Sequence, residues 1–127
     1  MSSLQTPLHR VQGLGASHSG TGHFWRQRIT ALALVPLGLW FTFAILGLAG
    51  TNEVAVLSFL AHPWNALLMA AFAAILLYHM SLGLQVVVDD YVHGAGARIF
   101  CLLLIRFVVI AAISTCLFAL IRIAAST

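Results

Sequence analysis

His79 stands in the middle of a long apolar run, and Asp89, Asp90 and Tyr91 close that run. An ionisable side chain is costly inside a hydrocarbon layer, so one found there marks a candidate site. A neutral imidazole nitrogen can bind a metal. A carboxylate near water can exchange protons, and a phenol can donate a hydrogen bond to a carbonyl. On a helix turning roughly 100° per residue, Asp90 returns to within about 20° of the His79 face and lies roughly 16 Å along the axis. One face then carries a nitrogen ligand at depth and an acid near the interface. That pattern suits a buried cofactor below and a redox-active or protonatable ligand above.

Each of these residues also has a plainer role. His79 can form a helix–helix hydrogen bond, which in membranes averages well under 1 kcal/mol. Gly83 weighs towards a ligand, because it lies one turn on, on the same face, and removes a side chain where a flat macrocycle would approach the backbone. A haem iron accepts such a nitrogen. The chain offers no second deep histidine, so a bis-histidine haem needs one from a partner. Asp89 and Asp90 oppose the dipole of a helix C-terminus by roughly 0.3–1 kcal/mol each, so stability alone does not call for them; a solvated pair at a loop edge is the alternative. Tyr91 also suits an aromatic belt. Arg26 and Arg28 fit either interfacial anchoring or a charge-assisted bond to a haem propionate. Arg106, roughly 10 Å into its span, either snorkels or pairs with Asp89 or Asp90.

The elements that must position these groups are membrane helices. Of 127 residues, 61% are hydrophobic and 7% charged, too few polar groups to cover a surface in water. The six basic residues are all arginine and are spread along the chain without a basic stripe, which argues against nucleic acid as a partner. Cys101 and Cys116 lie in one apolar run at no metal-binding spacing and read as small apolar residues. The expected fold is all-α and integral to the membrane, with spans at about 29–50, 64–88 and 99–121. Residues 1–28 form a cytoplasmic arm and an interfacial approach to the first span. The arm contains SHSGTG at Ser17–Gly22 and the solvated histidines His9 and His18, with His23 at its edge. Residues 29–127 form the membrane domain. Pro36 should kink the first span. Thr51–His62 is a connection whose Val54–Leu60 stretch can lie along the interface. Pro63 opens the second span, and Gly94-Ala95-Gly96 should end its helix through the backbone freedom of glycine. Arg10, Arg26, Arg28 and Arg98 on one side against Arg122 on the other place the amino terminus in the cytoplasm and the carboxyl terminus outside. Asp89, Asp90 and Tyr91 then lie on the cytoplasmic side.

HxxxGxQVVxDDYVH, from His79 to His93, resembles the motif of the succinate dehydrogenase hydrophobic membrane anchor subunit, the smaller haem b-associated anchor chain of complex II. GHFWRQRITALAL, from Gly22 to Leu34, is similar to that family's approach to its first span. The resemblance implies that His79 is an axial ligand of a haem b shared with the larger cytochrome b membrane subunit. It implies that Tyr91 hydrogen-bonds ubiquinone, that Asp90 neighbours that site, and that Arg28 lies close to the haem propionates. Asp89 and Arg26 match less firmly and take no assigned role. Partners would be the cytochrome b, iron–sulfur and flavoprotein subunits, with FAD and iron–sulfur clusters on the latter two. The setting would be the cell (inner) membrane, and the activity succinate:ubiquinone oxidoreductase, with electron transport linked to the tricarboxylic acid cycle.

Other readings stay open at this level. The chain can be the anchor of a related fumarate reductase, or a haem-free structural anchor with His79 in a helix–helix bond. A small proton-coupled transporter subunit would use His79 and Asp90 as a path. That last reading needs polar groups along a whole water-accessible face, and the first and third spans supply few.

Overall fold

The computed structural model describes residues 20–126, so most of the arm, with Arg10, His9 and His18, lies outside the described residues. Four helices follow in order: α1 Gly20–Leu48, α2 Glu53–Ala61, α3 Pro63–Tyr91 and α4 Ala95–Ala125. The three long ones, α1, α3 and α4, have 29, 29 and 31 residues. At about 1.5 Å per residue each is roughly 44–46 Å long, more than a hydrocarbon core of roughly 30 Å requires. All three are long and apolar enough to cross a membrane. The expected three-span, all-α architecture is the one found.

The boundaries differ from the expectation in informative ways. α1 begins at Gly20, so Gly20–Arg28, in the arm's end and the interfacial approach, is helical. Apolar counting stops at Arg28, whereas backbone hydrogen bonding does not depend on side-chain polarity. Arg26 supports this first turn by donating from Nε to the Gly22 carbonyl at 3.1 Å. The helix then runs on through Pro36. The 51–62 connection contains a true helix, α2, capped by Asn52, whose side chain accepts from the Ala55 N–H at 2.9 Å. A side-chain cap of this kind stabilises a short helix by about 1 kcal/mol. α3 starts with Pro63 in its first turn, as expected.

The end of α3 corrects one expectation. Gly94 does not terminate it through a left-handed conformation. The helix stops at Tyr91, the chain extends through Val92 at φ −99°, and Gly94, at φ −76°, caps the start of α4. Among the described residues the one glycine at positive φ is Gly50 (φ 79°), just past α1.

α3 is the central helix, packed against both α1 and α4, while α2 touches α3 and α4. Phe41 and Phe72 stack at 4.5 Å between α1 and α3, and Trp40 stacks on Phe59 of α2 at 6.3 Å. Asn65 Nδ2 donates to the Phe59 carbonyl at 3.0 Å, fixing α2 to the start of α3. Asp89 at the end of α3 meets Arg98 at the start of α4. The beginning of α1, the end of α3 and the beginning of α4 therefore share one end of the bundle. The small core sits between α3 and α4, where Leu82 and Val109 are buried. Most other side chains are exposed or half-exposed, as befits helices whose remaining faces meet lipid or other subunits.

Candidate functional site

The site grows from the junction of α1 and α3. On α1, Thr30 lies about 40° around the helix from Arg26 and about 60° from Gln27, since residues three and four apart share a helix face. That face looks onto α3. Thr30 Oγ1 lies 2.8 Å from His79 Nδ1, and the same hydroxyl is 2.8 Å from the Arg26 carbonyl and 3.1 Å from that of Gln27. His79 is half-buried, and its Nε2 makes no hydrogen bond among the described residues. One turn further, a Cβ built on Gly83 would meet Gln27 Nε2 at 3.9 Å. That is ordinary contact, so packing within this chain does not require a glycine there. Gln27 Oε1 is buried without a hydrogen-bond partner among the described residues.

Asp90 also faces α1. It lines a hollow of about 450 Å³ with Asp89 and Gln85 of α3 and with Gly20, His23 and Arg26 of α1. His79, Gly83 and Asp90 thus all look towards the first helix, as the helical spacing predicts. Tyr91, one residue on, is 78% exposed at the same end of the bundle.

The arginines take separate places. Arg28 is not brought to His79: it sits about 160° around α1 from Thr30, exposed, with its guanidinium over the Phe24 ring at 5.1 Å. Arg26 is the arginine beside α3. Arg106 does not pair with either aspartate. It lines a cleft of about 320 Å³ with Arg26, Tyr78, Ser81 and Gln85, while Asp89 Oδ1 pairs with Arg98 at 2.7 Å. Arg98 is nearer in the chain and lies at the same end of the bundle, which decides the pairing. Sequence reasoning missed Thr30, Gln27 and Gln85. A hydroxyl and two amides in otherwise apolar stretches were the available signal. Among the described residues no three His, Cys, Asp or Glu side chains gather as a metal site, so a metal held at His79 would need ligands from outside them.

A family model described as succinate dehydrogenase/fumarate reductase transmembrane subunit matches residues 2–113. The chain belongs to that family. Similar curated proteins include the succinate dehydrogenase hydrophobic membrane anchor subunit of Paracoccus denitrificans, 32% identical over 93 residues, covering 73% of this chain and 71% of the relative. The succinate dehydrogenase membrane anchor subunit of Reclinomonas americana is 34% identical over 95 residues, 72% and 79% of the two chains. The hydrophobic membrane anchor subunit of Rickettsia bellii is 30% identical over 89 residues, 70% and 71%. No solved structure matches significantly. Within the succinate dehydrogenase/fumarate reductase transmembrane family, this member is a multi-pass membrane subunit of an oxidoreductase complex, and its three long helices are what anchors it.

Proposed function

We propose that the chain is the hydrophobic membrane anchor subunit of a succinate:ubiquinone oxidoreductase, supplying one axial ligand to a haem b and part of the ubiquinone-reduction site. The observation that carries this reading is His79: a half-buried histidine within a membrane helix, held at Nδ1 by Thr30 and unbonded at Nε2 among the described residues. A metal-bound histidine characteristically has its other nitrogen fixed in this way. The donor set suits haem, whose second axial ligand would come from the larger cytochrome b subunit. Gly83 leaves the α3 surface low beside His79. Arg28, exposed on α1, keeps a guanidinium available for a propionate, and such pairs are strong when bidentate. Haem, when bound, supplies a one-electron centre within the membrane.

The quinone chemistry falls at the adjoining end of the bundle. Ubiquinone becomes quinol by taking two electrons from the iron–sulfur subunit and two protons from water. Tyr91 donates its phenolic hydrogen to a quinone carbonyl, and its exposure supports contact with a ligand shared between subunits. Asp90, on a hollow open to the bundle end, passes protons inward from the cytoplasmic side. Succinate is oxidised elsewhere, on the flavoprotein, which this chain and the cytochrome b subunit hold at the membrane through the iron–sulfur subunit. The amino terminus is cytoplasmic and the carboxyl terminus outward.

The test is a reduced-minus-oxidised visible spectrum of the complex purified through this chain, with succinate as reductant and His79→Ala alongside. A b-type signal that is lost or shifted in the variant supports the ligand assignment. An unchanged signal sinks it.

A further inference from the structure

We infer that Thr30 is the positioning residue that sets the tautomer of His79, fixing its proton on Nδ1 and its lone pair on Nε2. The inference rests on the reading of His79 as a haem ligand and adds to it a residue on a different helix. A threonine hydroxyl has one proton to give and two lone pairs. Three groups surround Thr30 Oγ1: the Arg26 carbonyl at 2.8 Å, the Gln27 carbonyl at 3.1 Å and His79 Nδ1 at 2.8 Å. Carbonyl oxygens only accept. Were the hydroxyl proton directed at Nδ1, Oγ1 would face two carbonyl oxygens at these distances with no hydrogen between them, a repulsive arrangement. The proton therefore goes to the backbone, the usual bond of a helical threonine to the preceding turn. Oγ1 is left as an acceptor, and Nδ1 must be the donor. The neutral imidazole then has its lone pair on Nε2, the form that ligates iron.

The consequence is electronic as well as geometric. An Nδ1–H that donates to an oxygen makes the opposite nitrogen a better donor to metal and holds the ring at one angle. A hydroxyl is neutral and already engaged with the backbone, so it strengthens the ligand less than a carboxylate would. Removing it should weaken haem binding, by the roughly 10–100-fold typical of lost outer-sphere partners, and should raise the haem midpoint potential, because a poorer donor stabilises the ferric state less.

The experiment uses the intact complex with Thr30→Val, Thr30→Ser and His79→Ala. It reads haem stoichiometry, midpoint potential and the low-spin ferric EPR signal, together with dye-coupled succinate oxidation as a measure of assembly. Thr30→Val keeps the shape and removes the acceptor; it should lose haem more readily, with a raised potential and a shifted EPR signal, while Thr30→Ser should restore all three. A parental potential and EPR signal in Thr30→Val, with His79→Ala disturbed, would overturn this inference and leave the ligand assignment standing. Equal disturbance in Thr30→Val and Thr30→Ser would also overturn it, because serine keeps the hydroxyl acceptor and should be spared. An undisturbed His79→Ala would overturn both.

Discussion

The two sides of α3 are built from different material. Towards α4 it buries Leu82, 2% exposed, which lines one cleft with Val109 of α4, 6% exposed. Towards α1 it presents His79, Gly83 and the Asp90 hollow, meeting Thr30, Gln27 and Arg26. α1 itself buries no residue fully. The α4 junction holds the buried apolar residues, whereas the α1 junction adds to the Phe41–Phe72 stack single polar contacts that fix the direction of particular atoms. In lipid, association gains little from the hydrophobic effect, so shape governs both junctions and hydrogen-bond geometry adds direction at the α1 junction, where Thr30 meets His79. The polar groups of the candidate site thus gather on the α1 side of α3, and the buried apolar residues lie towards α4.

Substitutions on the two faces should fail differently. The largest effect on stability is expected at Leu82→Ala, which opens a cavity in the packed junction. A loss of about 2–4 kcal/mol should appear as an earlier midpoint of detergent-induced dissociation of the complex, with the haem spectrum unaltered in whatever remains assembled. A parental midpoint would show that the α3–α4 junction is not the supporting one. Tyr91→Phe comes next. Losing one hydrogen bond to the quinone, worth about 1–1.5 kcal/mol, should lower quinone reductase activity roughly tenfold while dye-coupled succinate oxidation persists. Equal loss of both would relocate the role of Tyr91 to assembly. The smallest effect belongs to Asp89→Asn. Its pair with Arg98 is exposed at 51% and 46%, and surface pairs contribute roughly 0–1 kcal/mol. Thermal stability of the complex should shift by little, and a large shift would mean that partner subunits bury the pair.

The sequence was most legible where the signal is periodic or compositional. Apolar runs placed all three spans, and the helical repeat put His79 and Asp90 on one face. The helical start of α1 was not legible because Gly20–Arg28 is polar by composition; of these residues Arg26 and Gln27 meet α3 and Arg28 does not. α2 carried a legible cap in Asn52, yet an apolar stretch beside a loop reads equally as interfacial chain. The partners of His79, Arg106 and Asp89 were not readable at all. Thr30 and His79 are 49 positions apart, and no local pattern states which hydroxyl a distant imidazole will find. Arg98 and Arg106 both lie in the first half of α4, and only the way the chain crosses between helices decides which of them reaches Asp89.

The bond of Thr30 to its own backbone also bears on how the subunit is made. At the usual roughly 5–20 residues synthesised per second, the last residue of α1 is added roughly 2–6 s before His79. A polar group waiting that long in lipid without a partner would invite mispairing or a bent helix. Thr30 is spared this, since its hydroxyl can donate to the Arg26 carbonyl one turn back as soon as α1 forms. What it holds in reserve is a lone pair, which is inexpensive to leave idle. When α3 arrives, the histidine meets an acceptor already aimed, and the order of synthesis becomes the order in which the site is assembled.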